Sequence, residues 1–338
     1  MILVAMLLVL PAAAPLPMGR LVDLGGRHLH VDCVGRGRPT VVVETGFYEF
    51  SFDWTLVQSR LSRAARVCTY DRAGYAWSDP GPEPRTLDQI DLELRTALER
   101  LGEPPPYLLV GHSFGGSVVR QFALTYPREV AGLVLVDAIQ EDERIVIDRR
   151  AVRLRSFASG RAIPPPHLAG PPREMPVPLP PQPPPAKSVE PPLDRLPAWA
   201  QRLHLWAQSQ LRLEVAQGGE RDWSPEYFAR WAQASQDGSL GNLPLMVLTR
   251  AVGGYGSDLD APAAELEAER RERQARLARL STRGRLEVVP AGHDMHLEAP
   301  DVVCRAVQEV MDAVRSPSAR PGQAVGPLPR RDASGDRQ

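Results

Sequence analysis

Short apolar runs alternate with amphipathic segments along the first 140 residues. Residues 21–24 and 28–34 predict two strands joined by a Gly25-Gly26 turn. Further runs with the length of buried strands lie at residues 40–44, 66–70, 107–110 and 133–136. Helical spacing separates them at residues 54–63, 86–101 and 115–126. Continuous apolar strands between helices are typical of parallel strands buried on both faces, so the pattern predicts a doubly wound α/β sheet.

The pattern breaks between residues 139 and 243. Fifteen of the 35 prolines lie in residues 163–197, a density that favours extended or disordered chain because proline interrupts helices and sheets. Residues 198–235 contain aromatic side chains spaced as in short amphipathic helices. We therefore predict a cap insertion over the sheet at residues 139–243, in part disordered.

The alternating pattern resumes after the insertion. It predicts strands at residues 245–248 and 286–289 and helices at residues 264–280 and 301–314. The predicted core therefore comprises residues 19–138 and 244–315. Residues 316–338 are rich in proline, glycine and charge and predict a disordered tail.

Composition and charge narrow the class of partner. The 338 residues carry 40 basic and 41 acidic side chains, a formal net charge of −1, so no overall field favours nucleic acid. A small neutral or amphipathic molecule is the expected partner, and no cofactor is indicated. Oligomeric state is left open.

Residues 1–18 form an apolar segment that ends in small residues but has no Lys or Arg before Met18. It is too short for a stable membrane span. It resembles the later part of a secretory signal, and a short anchor or a mis-assigned start are the alternatives. Secretion or membrane association is thus an expectation, with a cytoplasmic location as the other possibility.

The strongest local motif is Gly111-His112-Ser113-Phe114-Gly115, between a predicted strand and a predicted helix. In the G-x-S-x-G pattern, small residues flank a serine whose hydroxyl is exposed on a sharp strand-to-helix turn. A glycine-rich turn with a helix-capping serine is the plain structural alternative. We predict that Ser113 is a catalytic nucleophile.

A serine nucleophile needs a base, because its hydroxyl must lose a proton during attack. His293 directly follows the glycine after the last predicted strand, and His296 lies three residues further on. His293 is the predicted base, with His296 as the alternative.

These motifs, in this order, resemble the α/β-hydrolase fold family from about residue 31 to residue 314, apart from the insertion. The segment from Tyr70 to Ser78 resembles the family's D-R-x-G-x-G-x-S loop, with Ala76 at the second glycine. Thr45-Gly46 lies where many members have His-Gly. The resemblance implies an α/β-hydrolase fold with a Ser-His-Asp triad. It also implies that the main-chain N–H groups of Phe47 and Phe114 stabilise the oxyanion.

The acid of the triad has two candidate positions. Many members place it after the strand equivalent to residues 245–248, where the first carboxylates here are Asp258 and Asp260. Other members place it after the strand that follows the nucleophile helix, which points to Asp137. Asp137 is the predicted acid, and Asp258 or Asp260 stays open.

The family's sheet order also makes the strands of Cys33 and Cys68 neighbours. The resemblance allows a disulfide between them if the protein is exported, and two buried thiols otherwise. Cys304 falls in the last predicted helix, where a core position is expected.

The predicted function is hydrolysis of an ester or related acyl bond in a small, partly apolar molecule. Family members that hydrolyse epoxides or haloalkanes usually have aspartate as nucleophile, so Ser113 disfavours those reactions. A ligand receptor that has kept the fold without catalysis is the alternative from another class.

Overall fold

The computed structural model describes residues 14–174, 186–233, 237–254 and 262–316. The strands are β1 (Arg20–Asp23), β2 (His28–Val34), β3 (Thr40–Glu44), β4 (Val67–Tyr70), β5 (Tyr107–His112), β6 (Val130–Val136), β7 (Arg144–Ile147), β8 (Arg150–Arg153), β9 (Leu245–Arg250) and β10 (Gly284–Val289). The helices are α1 (Thr55–Leu61), α2 (Leu87–Leu101), α3 (Phe114–Thr125), α4 (Ala198–Gln208), α5 (Leu211–Gln233), α6 (Ala263–Ala278), α7 (Met295–Glu298) and α8 (Pro300–Arg315).

Eight strands form the central sheet in the order β1-β2-β4-β3-β5-β6-β9-β10. The first two pairings in this order, β1 with β2 and β2 with β4, are antiparallel, and the remaining five pairings are parallel. The chain therefore has the mostly parallel, doubly wound sheet that its apolar pattern predicts. Carboxyl ends of the parallel strands meet at one edge, where ligands of such sheets bind.

Side chains alternate between two apolar layers along each central strand. In β5, Leu109 packs with α2, α3 and α6, whereas Leu108 and Val110 pack with α1 and α8 on the opposite face. Both faces of the strand are thus buried, which explains why its sequence is continuously apolar.

The insertion differs from its prediction in two ways. The aromatic segment forms α4 and the 23-residue α5 rather than several short helices, and α5 continues through Pro225. A hairpin of β7 and β8, which the pattern did not indicate, precedes them. Tyr227 and Phe228 of α5 pack with Phe114 in one apolar cluster, so tertiary contacts support this long helix.

The last strand also departs from the fully buried pattern. β10 is at the sheet edge, and its Leu286 and Val288 side chains are 38% and 52% exposed. Residues 317–338 of the predicted disordered tail (316–338) and residues 1–13 of the predicted leader (1–18) lie outside the described residues.

A disulfide joins β2 to β4. Cys33 and Cys68 face each other directly in the antiparallel register, and their Sγ atoms are bonded. Cys304 is a half-buried free thiol on α8 that packs against the edge of a core cluster.

Candidate active site

Ser113 occupies the turn between β5 and α3 in a strained conformation. Its φ of 52° and ψ of −119° lie in a region that side chains rarely adopt. Flanking glycines make the turn possible: a Cβ on Gly111 would come within 2.5 Å of Val119 Cγ2, and one on Gly115 would overlap the Glu44 carbonyl oxygen. The half-buried Ser113 side chain therefore stands at the carboxyl edge of the sheet.

His293 and Asp137 form a direct pair at the same edge. Asp137 follows β6, His293 lies in the loop after β10, and His293 Nδ1 is 2.7 Å from Asp137 Oδ2. A carboxylate only accepts, so Nδ1 carries a proton, and in the neutral ring Nε2 is the nitrogen with the lone pair. The Asp137 side chain is 2% exposed and that of His293 is 40% exposed.

Two arginines share the same carboxylate. Arg270 Nη1 donates to Asp137 Oδ1 at 2.8 Å, and Arg250 Nη1 donates to Oδ2 at 3.2 Å. Burial alone would raise the pKa of Asp137, but the hydrogen bond and charge of His293, with both arginine charges, hold this pKa well below its usual range. Asp137 is therefore a permanently charged partner for His293. Sequence reasoning missed both arginines: Arg250 is the last residue of β9, and Arg270 is one of many charged residues on α6.

The other predicted candidates are not part of this pair. Asp258 and Asp260 lie outside the described residues. His296 is 1% exposed, stacks on Trp54 with ring centroids 4.7 Å apart, and makes no hydrogen bond through either ring nitrogen. Of the two candidate bases, His293 is the one paired with a carboxylate.

The loop Thr45-Gly46-Phe47 lies against the turn that carries Ser113. A Cβ on Gly46 would be 3.1 Å from Ser113 Cβ, and the rings of Phe47 and Phe114 stack with centroids 4.2 Å apart. The two predicted oxyanion donors thus belong to chain segments that meet beside Ser113.

Arg72 binds two main-chain carbonyls of this loop. Its guanidinium donates to Thr45 O at 2.6 Å and to Gly46 O at 2.9 Å. Because the N–H of a trans peptide points opposite to its C=O, the Phe47 N–H points away from Arg72. The arginine of the D-R-x-G motif therefore sets the direction of one predicted oxyanion donor.

Two buried carboxylates neutralise Arg72. Glu44 Oε1 accepts from Arg72 Nη1 at 2.7 Å, and Glu220 Oε1 of α5 accepts from Arg72 Nε at 2.9 Å. Burial raises the pKa of Glu44 to about 7. Sequence analysis found neither partner, because Glu44 lies 28 and Glu220 lies 148 residues from Arg72 along the chain.

A second ion pair, between His112 and Glu49, lies next to the turn that carries Ser113. His112 Nδ1 is 2.5 Å from Glu49 Oε1, and His112 Nε2 donates to the carbonyl of His293 at 2.9 Å. Burial alone would lower the pKa of His112, but the charge and hydrogen bond of Glu49 raise it to about 9. The residue before the nucleophile is thus tied to the backbone of the predicted base.

Comparisons with known proteins agree with this architecture. A family model described as alpha/beta hydrolase fold matches residues 39–173. A solved serine hydrolase involved in carbazole degradation superposes with a TM-score of 0.59 at 14% identity, over 87% of this chain and 98% of that one. The protein has an alpha/beta hydrolase fold.

Relatives in sequence match only part of the chain. Protein YbdG of Bacillus subtilis is 29% identical over 157 residues, which cover 43% of this chain and 48% of YbdG. Epoxide hydrolase 4 of Mus musculus is 29% identical over 120 residues, covering 35% of this chain and 33% of that protein. The chain spans about half the length, or less, of the curated relatives it matches.

In the part of the chain that the structure describes, no helix is both long and apolar enough to cross a bilayer.

Proposed function

We propose that this protein is a serine hydrolase that cleaves an ester or related acyl bond of a small, partly apolar molecule. The observation that carries the proposal is the pairing of His293 with Asp137 at the sheet edge where Ser113 occupies a strained turn. A histidine held in this tautomer has a free Nε2 for taking a proton from a serine hydroxyl.

The reaction would proceed through an acyl-enzyme. Ser113 Oγ attacks the acyl carbon while His293 accepts the hydroxyl proton and passes it to the leaving group. The N–H groups of Phe47 and Phe114 stabilise the oxyanion, and water then releases the acid. Asp137 remains charged throughout and stabilises the imidazolium that forms on His293.

Apolar side chains support the proposed substrate class. Phe47 and Phe114 belong to one cluster with Tyr227, Phe228 and Trp231 of α5. Within this cluster Phe47 is only half-buried, and an apolar side chain beside Ser113 favours an acyl or alcohol group with apolar surface. Epoxide hydrolysis, named for the mouse relative, is not proposed because Ser113 stands at the nucleophile position.

Labelling with a fluorophosphonate probe tests the nucleophile. The wild-type protein should gain the mass of one phosphonyl group on Ser113, and Ser113→Ala should gain none. Hydrolysis of p-nitrophenyl esters of increasing acyl length should depend on Ser113 in the same way. Absence of a Ser113-dependent adduct, with no turnover above the uncatalysed rate by either protein, would favour the ligand-binding alternative.

The acid is tested by asparagine substitutions. Asp137→Asn should lower kcat by about 10³- to 10⁴-fold, because the histidine loses its orienting charge. Asp79→Asn is the matched control, since Asp79 pairs with His28 at the surface, 3.1 Å from its Nδ1. If Asp137→Asn retains full activity while Asp258→Asn or Asp260→Asn loses it, Asp137 is not the acid.

A further inference from the structure

Four titratable side chains that acyl hydrolysis does not use converge beside His293. They are Glu49, His112, Asp294 and His296, hereafter the buried quartet, and one donor atom from each lies within 4.8 Å of the others. Glu49 comes from the loop after β3, His112 from the end of β5, and the other two from the loop after β10 and from α7. The fold therefore assembles them from three separate segments.

His296 is the first sign that the quartet is built for a ligand. Its side chain is 1% exposed, yet neither ring nitrogen has a hydrogen-bond partner. Leaving a buried polar group unpaired costs about 1–3 kcal/mol, so such groups usually have a partner. Stacking on Trp54 fixes the plane of the ring.

The hydrogen bonds of His112 and Glu49 are the second sign. His112 Nε2 donates to the His293 carbonyl, and a histidine that binds a metal typically donates its other N–H in this way. Glu49 Oε2 accepts from Gly46 N at 2.9 Å and from Trp54 Nε1 at 3.3 Å. These bonds occupy His112 Nε2 and Glu49 Oε2, and the remaining donor atoms, His112 Nδ1 and Glu49 Oε1, lie 2.5 Å from each other.

We propose that the buried quartet is a binding site for one divalent transition-metal ion, with Zn²⁺ as the best match. Two imidazole nitrogens and two carboxylate oxygens form a donor set that zinc accepts in tetrahedral geometry. Two carboxylates also balance the charge of a divalent ion. Calcium and magnesium prefer sites made of oxygen alone.

Small movements complete the coordination. Bonds of about 2.0–2.2 Å place tetrahedral ligands about 3.3–3.6 Å apart. Glu49 Oε1 must therefore move away from His112 Nδ1, now 2.5 Å distant, and since all four donors already lie within 4.8 Å of one another, the other adjustments are at most about 1.5 Å. The proton on His112 Nδ1 leaves to solvent as the nitrogen binds the metal.

The site goes beyond the proposed hydrolysis and does not require it. A metal bound here would join the chain next to Ser113, the chain next to His293 and the 45–47 loop that Glu49 contacts through Gly46 N. Its role would be to fix these three segments relative to one another, with no contact to the reacting bond.

Metal content of the full-length protein tests the proposal. After treatment with a chelator, the protein is incubated with ZnSO₄ and freed of excess metal by gel filtration. Its zinc content is then measured by inductively coupled plasma mass spectrometry. We expect one zinc per chain, and a rise in melting temperature of roughly 3–5 °C when free zinc is a hundredfold above the dissociation constant. Cobalt(II) in place of zinc should give the intense visible bands of a tetrahedral ion.

Two substitutions locate the ion. His296→Phe keeps a ring stacked on Trp54 but removes both donors, and Asp294→Asn alters a half-buried side chain without changing its size. Both should lose the bound zinc, the temperature rise and the cobalt bands. His28→Phe, which alters the surface His28–Asp79 pair, should retain all three.

Circular dichroism shows whether each variant is folded. If one variant is unfolded, zinc binding by the other still tests the site. Wild type without bound zinc, or a folded variant with undiminished zinc, would overturn the site. Ser113→Ala should bind zinc as wild type does, so failure of the hydrolase proposal would leave this result unaffected.

Discussion

At the scale of single residues, Arg72 links the D-R-x-G motif to the proposed chemistry. It contacts the carbonyls of Thr45 and Gly46, and so directs the Phe47 N–H without touching a substrate. An N–H that stabilises an oxyanion contributes only when it points at the developing charge. Arg72 is thus a positioning residue in the proposed mechanism.

Replacing Arg72 by lysine should therefore affect turnover more than binding. Lysine keeps the charge but has no planar fork to hold two carbonyls at once. We expect kcat to fall by about 10²- to 10³-fold with KM little changed, the size of effect seen when one oxyanion donor is removed. Steady-state kinetics on a p-nitrophenyl ester measures it.

Arg66→Lys is the control, since Arg66 pairs with Glu103 in a partly exposed position. It should leave both constants unchanged. Equal losses of kcat in the two variants, or an Arg72→Lys effect on KM alone, would argue against a positioning role.

At the scale of secondary-structure elements, two adjacent glycines of α5 test how closely this helix packs on residues 83–85. A Cβ on Gly218 would meet only Arg173 Nη1 at 3.6 Å, whereas one on Gly219 would lie 2.8 Å from both Arg85 Cγ and Glu83 Oε1. Glycine inside a helix costs about 0.8–1.0 kcal/mol relative to alanine. Gly218→Ala should therefore raise the free energy of unfolding by about 0.5–1 kcal/mol.

Gly219→Ala should lower that free energy, because the new methyl group collides with the buried Arg85 side chain. Urea denaturation of both variants provides the measurement. Stabilisation by both substitutions would mean that α5 does not pack as closely on the 83–85 segment as described.

Elements with strong local patterns were predictable, and those stabilised by distant contacts were not. β3, β5 and α2 follow from apolar runs and spacing, and Thr86 caps α2 through its side chain. The length of α5 depends on packing against α2 and α3, which no local pattern contains.

The same distinction applies to the residues of the site. Ser113 and His293 lie in short contiguous motifs, so the sequence alone could identify them as candidates. Arg72–Glu220 and Glu49–His112 join residues that only the fold brings together. The contact between Asp137 and His293 spans 156 residues, and for that reason the sequence left two positions open for the acid.

At the scale of the whole molecule, the Cys33–Cys68 bond joins the antiparallel end of the sheet across 35 residues. Closing a loop of this length stabilises a fold by about 3–4 kcal/mol in the chain-entropy model. Cys33→Ser/Cys68→Ser should therefore unfold at a lower urea concentration than wild type. Unchanged midpoints would show that the bond contributes nothing to stability.

The reactivity of the cysteine thiols tests both the disulfide and the burial of Cys304. Burial raises the pKa of Cys304 to about 11, so its thiolate is scarce at pH 8 and becomes abundant only above about pH 11. Native protein should resist iodoacetamide at pH 8. Denatured protein should react at one thiol without reductant and at three after reduction. Three reactive thiols without reductant would exclude the disulfide.

The bond between Glu220 and Arg72 links the insertion to the loop beside Ser113. Glu220 belongs to α5, so a displacement of this helix would remove one of the two carboxylates that balance the Arg72 charge, while Glu44 would stay. A change in the insertion would therefore reach the arginine behind the Phe47 N–H through one buried charge, without any contact between α5 and the reacting bond.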